Sequence, residues 1–112
     1  MQAELSVPVI WVENDGPPRA GRVDLTAGGI HLDGGSRDDR RTVDLLYSEI
    51  ASVRIGRNGA ERINGRSAVV LGLRSGANVS FAAFDRPGAV LDLAHLLEER
   101  ILPYESASAG LA

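Results

Sequence analysis

The stretch "GRVDLTAGGIHLDG", residues 21–34, decides the fold. Val23 and Leu25 alternate with polar neighbours, and so do Ile30 and Leu32. Alternation at every second position marks strands with one buried face. Residues 21–26 and 29–33 therefore read as two strands. The link "AGG" reads as a tight hairpin turn, in which Gly28 and Gly29 are expected to supply positive φ.

Working outward, the same rhythm recurs. "VPVIWVE" (7–13) is rich in β-branched and aromatic residues and reads as a strand. Pro8 lacks a donor, which confines it to the strand's start or to an edge. "NDGPPRAG" is a cluster of turn residues. Beyond the hairpin, "GGSRDDRR" (34–41) is a polar loop and "TVDLLY" (42–47) a further strand. The spacing breaks at Ser48 to Ala51, predicting a turn or bulge before a strand over 51–57. "GRNGAERINGRS" (56–67) reads as a flexible connector whose "RIN" could form one short strand. "SAVVLGLR" and "ANVSFAAF" form a second hairpin around "SGA", with Val69, Leu71 and Leu73 facing the same way as Val79 and Phe81.

The period then changes. In "DRPGAVLDLAHLLEERIL" (85–102), Val90, Leu93, Ala94, Leu97 and Ile101 fall three and four apart, which is one face of a helix. Asp85 is the expected N-cap, and Pro87 suits the first turn. Pro103 reads as a stop. Glu98, Glu99 and Arg100 read as a solvated face at the helix end, with Arg100 suited to the dipole there.

These elements predict a mainly β fold: a curved antiparallel sheet or open barrel of about seven strands, capped by one C-terminal helix. Such short, closely connected strands favour meander pairing. The helix would hide Leu93, Leu97 and Ile101 against Val23, Ile30, Val53, Leu71 and Phe81. The 112 residues fit a single domain over 1–102, followed by a flexible tail over 103–112.

The residues also carry a resemblance. The order "GRVDLT…GIHL", "VDLLYSEIASV", "VVLGLRSGANVSF", then a helix, resembles a pleckstrin-homology-like (PH-like) domain of the GRAM or bacterial PH-like branch. Gly21, Leu25, Thr26 and Ile30 match the first motif of that branch. Val43, Tyr47, Glu49, Ile50 and Val53 approximate the second. The match covers about residues 20–102. It implies a binding module built on a capped, bent sheet. The link "AGG" stands where phosphoinositide-binding members carry a basic loop, and the family's helix tryptophan is absent.

Chemistry is sparse in the sequence. With no cysteine, disulfides, thiolate metal sites and cysteine nucleophiles are excluded. His31 and His95 are isolated, and their spacing to Asp33, Asp38, Asp39 and Asp44 suits no standard metal site. No catalytic residue, metal site or cofactor is expected. An enzyme would need His31 and a carboxylate such as Asp24 or Asp44 to converge in a pocket. No apolar run reaches the ~20 residues of a membrane span, and no basic region precedes the first apolar run, so a cytoplasmic protein is expected.

All twelve basic residues are arginine, and the net charge is −3. An acidic balance argues against nucleic acid as a partner. The arginines cluster, however. Arg37, Arg40 and Arg41 share one loop, and Arg57, Arg62 and Arg66 another. Arginine forks bind phosphate or carboxylate. They are the candidate anion site, and through them the chain could bind anionic lipid headgroups as a peripheral membrane protein. Interleaved Asp38, Asp39 and Glu61 offer the alternative of ion pairing within the loops. Val7, Val9 and Trp11 lie on a strand taken as additional to the usual seven. That strand either extends the sheet or pairs with a second copy, and in the latter case these three residues are the candidate interface. The leading expectation is a non-catalytic module for protein–protein contact or self-association.

Overall fold

The computed structural model describes residues 5–14, 16–56, 61–63, 65–83 and 87–110, and within the last helix the side chains of residues 88, 89 and 91–102. Seven strands form one antiparallel sheet: β1 (Leu5–Glu13), β2 (Arg19–Leu25), β3 (Gly29–Gly35), β4 (Arg40–Leu46), β5 (Ile50–Gly56), β6 (Ala68–Leu73) and β7 (Asn78–Ala83). Their order is β4-β3-β2-β1-β7-β6-β5. A single 3-10 turn, Tyr47–Glu49, carries the chain from one end of this order to the other, and helix α1 (Pro87–Gly110) follows β7. The sheet curls into a half-barrel whose inward side chains make one core with α1.

The N-terminal run is the centre of the sheet and one of its seven strands. β1 pairs with β2 from Leu5↔Leu25 to Trp11↔Arg19, and with β7 from Val9↔Ala83 to Glu13↔Val79. Val9 and Trp11 are fully buried, and Val7 packs against the same core. The side chains of Val9 and Trp11 are thus used within the chain, and of the two outcomes expected for this strand it is extension of the sheet that is found. The ladder to β7 starts at Val9, so Pro8 sits in the part of β1 paired on one side only, where a missing donor is tolerated.

The hairpin over residues 21–34 forms in the expected register, Val23↔Leu32 and Leu25↔Ile30, as β2–β3. Its glycines work differently from expectation. Among the described residues the positive-φ positions are Asn14, Gly35, Gly65 and Gly76; Gly28 and Gly29 are not among them. Thr26 closes the turn through its N–H to the Gly29 carbonyl, 2.9 Å. Gly29 is needed because a Cβ there would overlap the Leu45 carbonyl of β4. Gly34 answers to Trp11: a Cβ would lie 2.6 Å from the indole nitrogen, which donates to the Asp33 carbonyl at 3.0 Å.

The second hairpin has the expected register, Val69↔Phe81 and Leu71↔Val79. The expected break near Ser48 to Ala51 is the 3-10 turn followed by a register shift between Ile50 and Ser52. On α1, Leu93, Ala94, Leu97 and Ile101 are buried, and the helix packs on β5, β6, β7 and the 3-10 turn. Each such leucine or isoleucine contributes ~1.5–3 kcal/mol of burial. Val90's side chain and the N-cap Asp85 lie outside the described residues. The helix starts at Pro87 as expected but continues through Pro103 to Gly110. Proline there removes one intrahelical donor, yet the following "YESASAG" contains alanine and glutamate, which favour helix, so the backbone resumes. Arg100 is accordingly mid-helix.

Candidate functional site

The outward face of β1–β4 carries a row of polar side chains at one level of the ladder. Ser6↔Asp24, Asp24↔His31 and His31↔Asp44 are successive cross-strand pairs. They point outward because the alternate residues, Val7, Val23, Leu32 and Leu45, face the core. His31 Nδ1 lies 2.5 Å from Asp44 Oδ1. Ser6 Oγ donates to Asp24 Oδ1 at 2.5 Å and accepts from Arg22 Nε at 2.9 Å. The hydrogen bond that the imidazole donates to Asp44 raises its pKa above its usual value; burial opposes this, and the charges of Asp44, Asp24 and Asp33 reinforce it.

Beside this row runs a shallow groove of about 410 Å³, bounded by Asp24, Thr26, His31, Asp44 and Leu46. Leu46 is 58% exposed at its rim. His31 and a carboxylate therefore do converge beside a groove. A Ser-His-Asp arrangement requires the hydroxyl to meet the imidazole. Here the Ser6 hydroxyl meets Asp24 instead. The ladder registers would have been needed to see the row from sequence, since Ser6, Asp24, His31 and Asp44 are spread over 39 positions.

Of the first arginine group only Arg37 lies in the β3–β4 connection; Arg40 and Arg41, expected in that loop, open strand β4 because their backbone pairs with Gly35 and Gly34, and both are engaged with acids. Arg41 makes a bidentate pair with Glu13, both contacts 2.8 Å. Arg40 lies 3.5 Å from Asp33, and Arg19 binds the Asp39 carboxylate at 3.2 Å and its carbonyl at 2.9 Å. Arg37 is exposed. The Arg41 contact, first through its hydrogen bonds, pulls the Glu13 carboxyl below its ordinary value, against the effect of burial.

The second arginine group belongs to another part of the surface. Beyond β5, residues 61–63 and 65–67 lie over the outer side of β6 and β7. Ile63 is 6% exposed and packs with Ala68 and Ala82, flanked by Ile10 and Val12. Ile63 and Arg66 form a bridge, Arg66 donates to the Ala83 carbonyl at 3.0 Å, and Arg62 reaches the Gly65 carbonyl at 3.4 Å. Arg54 pairs with Glu61. The described part of the expected flexible connector, residues 61–63 and 65–67, is thus a packed flap, with Ile63 of "RIN" in its bridge. No contact joins Arg62 or Arg66 to the Arg37–Arg41 group among the described residues, and Arg57 lies outside them.

A third feature is a groove of about 470 Å³ between β5 and α1, lined by Val53, His95, Glu98, Glu99, Ile101 and Leu102. His95 is exposed, and so, as expected, are Glu98 and Glu99. Arg100 is not part of that solvated face. It donates to the Thr26 carbonyl at 3.1 Å and lies 5.8 Å from the centre of the Tyr47 ring, while Tyr47 Oη donates to the same carbonyl at 2.6 Å. Thr26, Tyr47 and Glu49, three residues of the motif resemblance, work at one corner: Glu49 Oε1 accepts the Leu46 N–H at 2.8 Å.

No family model matches the chain, and no curated protein does. Among solved structures it is similar to the C-terminal domain of an unknown protein from Leishmania infantum. The TM-score is 0.63 at 13% identity, over 90% of this chain and 84% of that one. The likeness is one of fold. A curled seven-stranded antiparallel sheet with a C-terminal helix fits a PH-like architecture. No helix among the described residues is long and apolar enough to cross a membrane.

Proposed function

We propose that this chain is a non-catalytic PH-like binding module, akin to the GRAM and bacterial PH-like branches, that works in the cytoplasm through protein–protein contact, self-association included. The observation that carries this reading is the outer side of β4. β3 is its only ladder partner among the described residues, and Arg40, Arg41, Thr42, Asp44 and Leu46 are all exposed along it. An unpaired strand edge offers a row of backbone donors and acceptors to another polypeptide. Arginine engagement by Glu13, Asp33 and Asp39 supports protein over lipid as the partner, because a phosphate would have to displace a carboxylate already in place.

Flotation with vesicles containing phosphatidylserine and phosphoinositide tests the choice. The protein is expected to stay with the unfloated fraction at low and physiological salt. Salt-sensitive co-flotation, abolished by Arg37→Ala with Arg40→Ala and Arg41→Ala, overturns the reading in favour of headgroup binding.

The His31–Asp44 pair beside its groove favours one second reading, a site of general acid–base chemistry. Turnover of an activated ester that disappears in His31→Ala would establish it. The module reading expects no difference between the two proteins.

A further inference from the structure

We propose that β4 is where two copies of this chain pair, strand to strand and antiparallel, with a twofold axis through Thr42. This rests on the protein-contact reading and names its partner.

Among the described residues the sheet order leaves two strands with a free side, β4 and β5, and they are treated differently. β5 carries a register shift at Ile50/Ser52, and α1 packs on it more closely than on any other strand. A bulge and a covering helix are means by which proteins stop a strand from pairing further. β4 has neither. It pairs with β3 without interruption over all seven of its residues, Arg40↔Gly35 to Leu46↔Gly29, and contains no proline.

Backbone direction shows which groups the free side offers. The Leu46 N–H is taken by the Glu49 carboxylate and not by the β3 ladder. Gly29 opposite it bonds to Thr26, away from β4. Leu46 is therefore at a non-hydrogen-bonded position of the β3–β4 pair. By alternation the N–H and C=O of Thr42 and Asp44 point to the open side. In an antiparallel pairing centred on Thr42, Thr42 meets Thr42, and Arg40 of each copy meets Asp44 of the other. All of these are residues whose backbone groups face outward, so the ladder closes on itself.

The side chains agree with that register. Arg40, Thr42 and Asp44 share the outward face, and the Arg40 and Asp44 side chains are 68% and 79% exposed. A single sign of charge along the edge would repel a second copy. Opposite signs two places either side of Thr42 make the edge complementary to itself, with two Arg–Asp pairs flanking a Thr–Thr pair. The result is one continuous sheet through both copies.

Light scattering over a rising concentration series, from low micromolar to submillimolar, tests this on the full chain. The mass is expected to climb from 11.9 kDa toward twice that value. Thr42→Pro removes an N–H that faces the open side and should hold the protein at one chain's mass, with thermal melting showing that it is folded. Arg40→Asp sets like charges opposite each other and should raise the dimer dissociation constant by about tenfold or more. Arg40→Asp combined with Asp44→Arg restores complementarity and should recover the dimer. A single-chain mass at every concentration overturns the pairing. So does a dimer that both Thr42→Pro and Arg40→Asp leave intact. Neither result removes the protein-contact reading, which falls to vesicle co-flotation instead.

Discussion

At His31, one imidazole on an open sheet face answers to three carboxylates. The Asp44 hydrogen bond is the main cause of its raised pKa, and the charges of Asp44, Asp24 and Asp33 add to it against burial. A group whose folded pKa lies above its ordinary value of 6.5 lends stability that is complete below that value and lost as pH rises through the folded pKa. Thermal stability should therefore fall as pH is raised from about 6.5 through that range. The fall should stay within the ~0.2–1 kcal/mol of exposed ion pairs, since the Asp44 side chain is largely in water. Melting temperatures across a pH series should show the slope in the wild type and lose it in His31→Asn and Asp44→Asn. An unchanged slope in both variants would assign the effect elsewhere. His31 was legible in the sequence as an outward strand residue, from its alternation with Ile30 and Leu32. Its partner was not, because Asp44 meets it through a strand register. The sequence leaves the place of Trp11 open for a similar reason. An apolar residue near a terminus looks spare until the strand it sits on is known to pair on both sides.

At the scale of an element, the segment after β5 is the instructive case. Its composition, "GRNGAERINGRS", carries few apolar residues, and composition alone indicates a loose connector. One isoleucine changes that. Ile63 covers Ala68 and Ala82 on the outer side of the sheet and forms a small core separate from the main one. Ile63→Ser should cost ~1–3 kcal/mol, toward the lower part of the range for large-to-small core changes because the site is at the surface. Amide exchange should quicken in this flap, while the β2–β3 amides keep wild-type protection. Loss of protection throughout the sheet would mean that the flap belongs to the main cooperative unit. The strands and the helix start were readable because alternation and the three-four spacing report burial directly. The helix end was not: Pro103 signals a stop by its missing donor, and that local cost was outweighed by the residues that follow it.

For the whole molecule, the decisive pairing joins β1 to β7, from Val9↔Ala83 to Glu13↔Val79, and nothing in local periodicity specifies it. It turns two meanders into one curled sheet. The curl is visible in a single contact. β1 and β4 are three strand spacings apart, ~14 Å in a flat sheet, yet Glu13 and Arg41 meet through two 2.8 Å contacts. Both alternate in phase with core residues, Glu13 with Trp11 and Arg41 with Val43 and Leu45, so they reach across the concave side. The pair is possible because the sheet bends, and once formed it holds the bend. Glu13's pKa is lowered chiefly by its hydrogen bonds with Arg41, burial opposing and the charges of Arg41 and Arg19 assisting. A depressed carboxyl contributes stability above its ordinary value of 4.5 that is lost as pH falls through the folded pKa. Glu13→Gln should therefore lower the melting temperature at neutral pH and flatten the acid side of the stability curve. Arg41→Gln should do the same, and the double variant should add little to either single change, because both remove one interaction. Additive losses in the double variant would show that the two side chains act separately and that the curvature is maintained by the core alone.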